Sequence, residues 1–313
     1  MRILHFSDVH INVNNLEFTR KQIRKMLNSI LNHYNQKPSI DLVVFSGDMI
    51  MSGGVDNKGN NIFTLADGFH TFKDEVIVPI CTTLKLPIDH FILTMGNHDA
   101  DWKQANDDIK NEINKSKNSL EILTLYNKYI NSNNAPWICD FNSLRDSLYS
   151  ESNYSKNNGF ANLILSLDGK KVGISMLNSA WGTIPNSQHV LLNQDQIVDS
   201  MEYLNQEHCD YKICVMHNPC SCFCEDEQKC IRNLLLQNYD VCFTGHTHQQ
   251  EDYAMMRRED TCYFSTAPKF RSLECDMAEN DNRYLNGFII FDDDSINYSI
   301  TRVTFENRQY VIH

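Results

Sequence analysis

Three short apolar runs each break into a polar motif: Arg2 to Phe6 into Ser7-Asp8, Asp41 to Phe45 into Ser46-Gly47-Asp48, and His90 to Thr94 into Gly96-Asn97-His98-Asp99. Apolar runs of about five residues bounded by turn formers read as buried strands. Between the first two, Leu16, Ile23, Leu27, Ile30, Leu31 and Tyr34 share one helical face, while Arg20, Lys21, Arg24 and Lys25 lie on the other. Strand, helix and strand in that order make a βαβ crossover. Parallel strands joined this way end on one edge, so the polar motifs are predicted to converge there. The four basic residues read as a solvated helix face, with phosphate contact as the other reading. A second helix is predicted from Leu65 to Leu84, interrupted near Pro79, which has no N–H for the helical ladder.

Residues 100–158 break the pattern. Asparagine is frequent from Asn111 to Asn134, yet Leu120, Leu123, Tyr126 and Ile130 trace an amphipathic stripe behind a candidate Ser119 cap. The segment is predicted to be a helical insertion or cap beside the motif edge, serving either substrate choice or structure. Strands resume at Ala161 to Leu167 and Lys171 to Leu177 around the turn signal Asp168-Gly169. A helix from Gln194 to Glu207 leads to a strand at Tyr211 to Met216, and a helix ending near Gln237 leads to Asp240 to Thr244. Thr261 to Ser265, Gly287 to Phe291 and Ile296 to Phe305 read as later strands. The expected fold is α/β, with two mixed sheets packed as a sandwich and flanked by helices. One domain is expected over residues 1–313, because no flexible linker or internal repeat interrupts it.

At 313 residues the chain can bury a large core without disulfide or metal staples. Forty acidic against 28 basic residues give a net charge of −12, which excludes broad nucleic-acid coating while leaving a local metal cleft free to attract phosphate. Acidic turns at Glu225-Asp226-Glu227, Asp276 to Asp281 and Asp292-Asp293-Asp294 read as a solvated rim. Apolar runs such as Val76 to Ile80 fall far short of the roughly 20 residues that a bilayer crossing needs. The start, MRILHFSDVH, is not a signal peptide, so the expected location is cytoplasmic and the 11 cysteines are expected to be reduced.

Five blocks stand at strand ends: Asp8-Val9-His10, Gly47-Asp48, Gly96-Asn97-His98-Asp99, His217, and Gly245-His246-Thr247-His248. Singly, each reads as a turn or cap. Together they hold five of the 12 histidines and mix hard oxygen ligands with imidazoles, a set that suits Mn²⁺, Fe²⁺ or Zn²⁺. Two dications about 3.5–4 Å apart need a bridging carboxylate and a bridging water to offset their repulsion. Asp48 suits that bridge. Asp8 with His10, and His246 with His248, have the spacing to serve one or both ions, and Asn97 offers a neutral oxygen.

In this order the blocks resemble the calcineurin-like metallophosphoesterase superfamily, whose pattern is D-x-H, G-D, G-N-H-[DE], H and G-H-x-H, over about three quarters of the chain. The resemblance implies that Asp8, His10, Asp48 and His248 hold one metal, and Asp48, Asn97, His217 and His246 the other. It implies that His98 reaches the scissile phosphate as stabiliser or proton donor, with Asp99 orienting and charging its imidazole. It implies a phosphohydrolase with two divalent ions, manganese first and iron or zinc next, in which a metal-activated hydroxide attacks phosphorus.

The signature after Asp48 lacks the arginine of the protein phosphatases, and the motifs are more similar to cyclic-nucleotide-phosphodiesterase-like and nuclease-like members. Some related modules stand beside nucleotide-binding domains in defence proteins. The expected substrate is therefore a phosphodiester, a nucleotide or a nucleic-acid end. The alternatives are a phosphomonoesterase with the same metals, or a nucleotide-sensing or assembly subunit with a protein partner or second copy. Asn218 departs from relatives that carry a second histidine after the lone one. Cys220, Cys222, Cys224 and Cys230 read as loop thiols, or else as a zinc or redox site. Trp181 reads as a core or lid residue, or else as a stacking surface for a base.

Overall fold

The structure is a computed structural model that describes residues 1–35, 40–51, 64–116, 118–184, 190–257, 260–270, 287–293, 298–301, 303–306 and 309–313. The acidic turn at residues 276–281, Asp294, and the segment Ser52-Gly53-Gly54 lie outside the described residues.

Strand β1 (Arg2–Phe6) leads through helix α1 (Leu16–His33) to β2 (Leu42–Phe45). Helices α2 (Leu65–Phe72) and α3 (Val78–Leu84) then lead to β3 (Phe91–Leu93), and the three strands are parallel neighbours. Apart from Arg2 their residues are buried, as the uninterrupted apolar runs require of strands covered on both faces. The predicted interruption is a π-helical turn at Lys73–Ile77, where the Val78 N–H reaches back to the Lys73 carbonyl. Pro79 falls in the first turn of α3, directly after that π-helical turn.

Helices α4 (Asp107–Lys115), α5 (Ser119–Tyr126) and α6 (Cys139–Asp146) occupy the predicted insertion, but the segment also supplies an edge strand, β4 (Tyr154–Lys156). The predicted stripe is partly displaced. Leu120 is 73% exposed, whereas Ile122, Leu125, Tyr126, Tyr129 and Ile130 are buried. The buried positions follow the 3.6-residue period, so Tyr126 and Ile130 of the predicted stripe hold while Ile122 and Leu125 take the places given to Leu120 and Leu123. The cap is Asn118, one residue before the predicted Ser119, and its side chain accepts the Glu121 N–H.

The hairpin β5 (Phe160–Leu167) to β6 (Lys170–Leu177) turns through Asp168 and Gly169, with φ of 51° and 77°, as its two-residue loop demands. Next come α7 (Asp195–Gln206), β7 (Tyr211–Val215), α8 (Glu225–Asn238), β8 (Val241–Thr244), β9 (Glu251–Arg257) and β10 (Asp260–Thr266). Strands β11 (Ile289–Asp293), β12 (Tyr298–Thr301), β13 (Val303–Glu306) and β14 (Gln309–Ile312) follow. The predicted strand from Ile296 to Phe305 is thus two strands, because β12 pairs with β11 while β13 pairs with β14. Strands β9 and β14 were not predicted; β9 is an edge strand of mainly exposed residues without alternation.

Among the described residues a five-stranded sheet has the order β12-β11-β1-β2-β3 and a seven-stranded sheet the order β4-β5-β6-β7-β8-β10-β9. Both are mixed. His5 of β1 meets Phe243 of β8 edge-on at 4.8 Å, and Phe243 meets Phe291 of β11 at 5.3 Å, so aromatic rings pack between the sheets. On the other face of the seven-stranded sheet, Ile197, Met201 and Leu204 of α7 and Ile231 and Leu235 of α8 pack with Cys214 and Cys242. Among the described residues no helix is long and apolar enough to cross a membrane.

Candidate metal centre

The five sequence blocks follow the C-terminal ends of β1, β2, β3, β7 and β8, and the structure draws them together. Asp8, His10, Asp48, His246 and His248 all adopt positive φ, between 49° and 70°. Such a backbone is uncommon for residues with a Cβ, and its concentration in these loops turns the side chains inward where extended chain would alternate them. Gly47, at φ 99°, has no room for a side chain: a Cβ there would lie 2.6 Å from His217 Nδ1. A Cβ on Gly96 would collide with the Asp48 carboxylate and backbone nitrogen.

Three groups of side chains are close enough to hold a metal ion: Asp8, His10 and His248; His10, Asp48 and His98; and Asp8, Asp48 and His217. His248 Nε2 is 3.3 Å from Asp8 Oδ1, and His10 Nε2 is 3.7 Å from both Asp8 Oδ1 and Asp48 Oδ2. On the other side, His217 Nε2 lies 3.4 Å from Asp48 Oδ2, and Asn97 Oδ1 is 3.0 Å from both His217 Nε2 and His246 Nδ1. His98 stands at the rim, 34% exposed, with Nε2 4.0 Å from Asp48 Oδ2. Asp8 Oδ1 and His10 Nε2 are buried with no hydrogen-bond partner. Buried polar atoms seldom remain unsatisfied, and an acceptor oxygen facing an imidazole nitrogen fits a cation between them.

Asp99, expected to orient His98, accepts four backbone N–H groups at its two oxygens, those of Asp48, Met49, Ile50 and Gly96, at 2.9–3.1 Å. Four donors use a carboxylate's full accepting capacity, so Asp99 braces the loops that carry Asp48 and Asn97. Ser46 has a role that sequence reasoning missed. Its carbonyl accepts the His217 Nδ1–H at 2.7 Å, which fixes the tautomer and leaves Nε2 facing the cluster. No side-chain pattern signals a backbone carbonyl.

Electrostatics within the cluster are uneven. Burial opposes charge on Asp8, yet the His248 imidazole facing it and the nearby His217 hold the carboxyl below its ordinary range. Burial likewise opposes charge on Asp48, but His217 and His98 hold it well below that range. His10 and His246 are driven down to about 4, chiefly by burial. Burial also works against His217, but the Asp48 carboxylate overcomes it and lifts the imidazole to about 9.

These shifts fix a pH dependence for the metal-free protein. Between about 4 and 6.5 the folded His10 and His246 bind fewer protons than the unfolded chain, so stability rises with pH. His217 acts oppositely: its contribution is complete below 6.5 and is lost as pH rises to about 9, a change of roughly 3 kcal/mol. The Asp99 carboxyl, held up to about 8, works against the two imidazoles over the lower range and with His217 above it, so urea unfolding in EDTA is expected to show greatest stability near pH 6.5. With Mn²⁺ the alkaline decline is expected to flatten, because a metal ligand must release its proton in any case. A metal-free stability level from pH 6.5 to 9 would contradict the His217–Asp48 contact.

The remaining candidates lie away from the cluster. Trp181 is fully buried, packs edge-on against Tyr126 at 5.5 Å and accepts the Trp137 indole N–H at its carbonyl, so it is a core residue and no surface for a base. Asn218 is buried and exchanges hydrogen bonds with Ser179, which ties the loop after β7 to the loop after β6. Cys220 is buried, Cys230 donates to Gln194, and among the described residues the groups able to hold a metal contain no cysteine.

Two mixed sheets that gather carboxylates and imidazoles at one edge make up the architecture of a metallophosphoesterase. The calcineurin-like phosphoesterase family matches residues 1–250, and the chain belongs to that family. A hypothetical protein from Thermus thermophilus is similar at 14% identity and a TM-score of 0.41, over 99% of this chain and 96% of its own. The Thermus thermophilus sulfate thiohydrolase SoxB, solved with glycerol, is 9% identical with a TM-score of 0.47; 99% of this chain covers 56% of that one, or about half its length. Vps29 of Entamoeba histolytica, solved with zinc, is 9% identical with a TM-score of 0.31, over 100% of this chain and 97% of its own. No curated protein matches the sequence.

Proposed function

We propose that this chain is a dinuclear metal-dependent phosphohydrolase and, within that class, a phosphodiesterase for nucleotides or nucleic-acid ends. Asp8, His10, Asp48 and His248 hold one divalent ion, and Asp48, Asn97, His217 and His246 hold the other. Manganese suits this mixture of carboxylate, amide and imidazole donors, with iron or zinc next. Such a pair activates water as a nucleophile and draws charge from the phosphoryl oxygens. The chain's own residues orient and protonate. Asp48 accepts the His98 backbone N–H at 2.8 Å, which fixes the loop from which the His98 ring meets solvent and substrate. From that rim position His98 supplies the proton to the departing alkoxide.

The observation that carries this reading is the placement of Asp48 Oδ2, 3.7 Å from His10 Nε2 and 3.4 Å from His217 Nε2, so that one carboxylate faces both halves of the cluster. Hydrolysis of bis-p-nitrophenyl phosphate and p-nitrophenyl phosphate, compared in Mn²⁺, is expected to favour the diester in kcat/KM. A strong monoester preference replaces the diesterase with a phosphomonoesterase using the same metals. Failure of the metal-loaded protein to cleave either compound overturns the phosphohydrolase.

A further inference from the structure

Lys269 lies outside residues 1–250, the span of the family match, yet the fold sews it to the cluster. It forms a parallel bridge with Ser7, the residue before Asp8. On one side of it the Phe270 N–H donates to the Ser7 carbonyl at 3.0 Å, and the buried Phe270 ring packs on Phe6 at 5.6 Å. On the other side the Ala267 N–H donates to the carbonyl of Thr244, the residue before Gly245-His246, at 2.9 Å. Its backbone is thus anchored to the two loops that present Asp8 and His246, so the half-buried side chain starts from a fixed point.

A chain of net charge −12, with Asp8 and Asp48 at the cluster, opposes the approach of an anion. A lysine held at that place offers a compact positive charge with three donors, which suits phosphate oxygens. We propose that Lys269 binds a phosphoryl oxygen of the substrate at the edge of the cluster formed by the loops of Asp8 and His246. This rests on the phosphohydrolase reading above.

The test compares wild type, Lys269→Gln and Lys269→Arg, each loaded with Mn²⁺. Inorganic phosphate binding is measured by calorimetry, KM and kcat with the better p-nitrophenyl ester, and metal content by elemental analysis. Lys269→Gln is expected to weaken phosphate binding and raise KM about tenfold, as loss of a charged hydrogen bond implies, with a smaller change in kcat. Lys269→Arg is expected to recover most of the affinity, and both variants to hold as much metal as wild type. Phosphate affinity within twofold of wild type in Lys269→Gln overturns the proposal, and so does a loss of bound metal, which makes the residue part of the cage. The two readings fail separately: a wild type that cleaves no phosphoester sinks the phosphohydrolase, whereas active wild type with phosphate binding indifferent to position 269 sinks only this assignment.

Discussion

Asp48→Asn is expected to lower kcat/KM on the order of 10³-fold or more and to leave less than the full complement of divalent metal after dialysis. The size follows from position. The Asp48 carboxylate faces His10 and His217 with one oxygen and accepts the His98 N–H with the other. An asparagine preserves the shape but removes the charge that opposes mutual repulsion of two dications. A second consequence is independent of activity. Without its strongest charged partner, the buried His217 is expected to fall from about 9 to below its ordinary value, which imidazole NMR titration of the metal-free variant reads directly. Full metal content together with wild-type turnover would remove Asp48 from the centre of the mechanism.

Asp99→Ala is expected to damage the fold rather than the chemistry alone. The substitution strips an acceptor from four backbone N–H groups in a buried site. Each orphaned donor costs about 1–3 kcal/mol, so the total reaches roughly 4 kcal/mol or more, against the 5–15 kcal/mol by which most proteins are stable. Burial, and then the charge of Asp48, push the Asp99 carboxyl up to about 8, so removing it recovers part of that cost. A lower urea midpoint and loss of metal uptake are the expected results. Asp99→Asn, which keeps one acceptor oxygen, should fall between alanine and wild type. An unchanged midpoint in Asp99→Ala would show that the loops of Asp48 and Gly96 are held by other means.

The strands that carry the site were readable because they are buried on both faces, so Leu42-Val43-Val44-Phe45 announces itself without alternation. The Asp168-Gly169 hairpin was readable because its turn demands positive φ at both positions. Strand β9 was not, since an edge strand of exposed residues has little apolar pattern to show. The stripe in α5 was partly misplaced because Leu120, Ile122, Leu123 and Leu125 are all apolar, so more than one helical face fits the sequence.

The linear order of aspartates, histidines and glycines determined which chemical groups the chain can bring to one edge, because residue identity fixes donors, acceptors and backbone freedom locally. What each group touches was decided only by folding. Asp99 braces four N–H groups that no spacing in the sequence names. Ser46 orients His217 through a carbonyl that every residue possesses. Lys269 is set beside the loop of Asp8 by its bridge to Ser7, far away along the chain. Contacts of this kind depend on distances between remote segments, and the packing of the two sheets sets those distances.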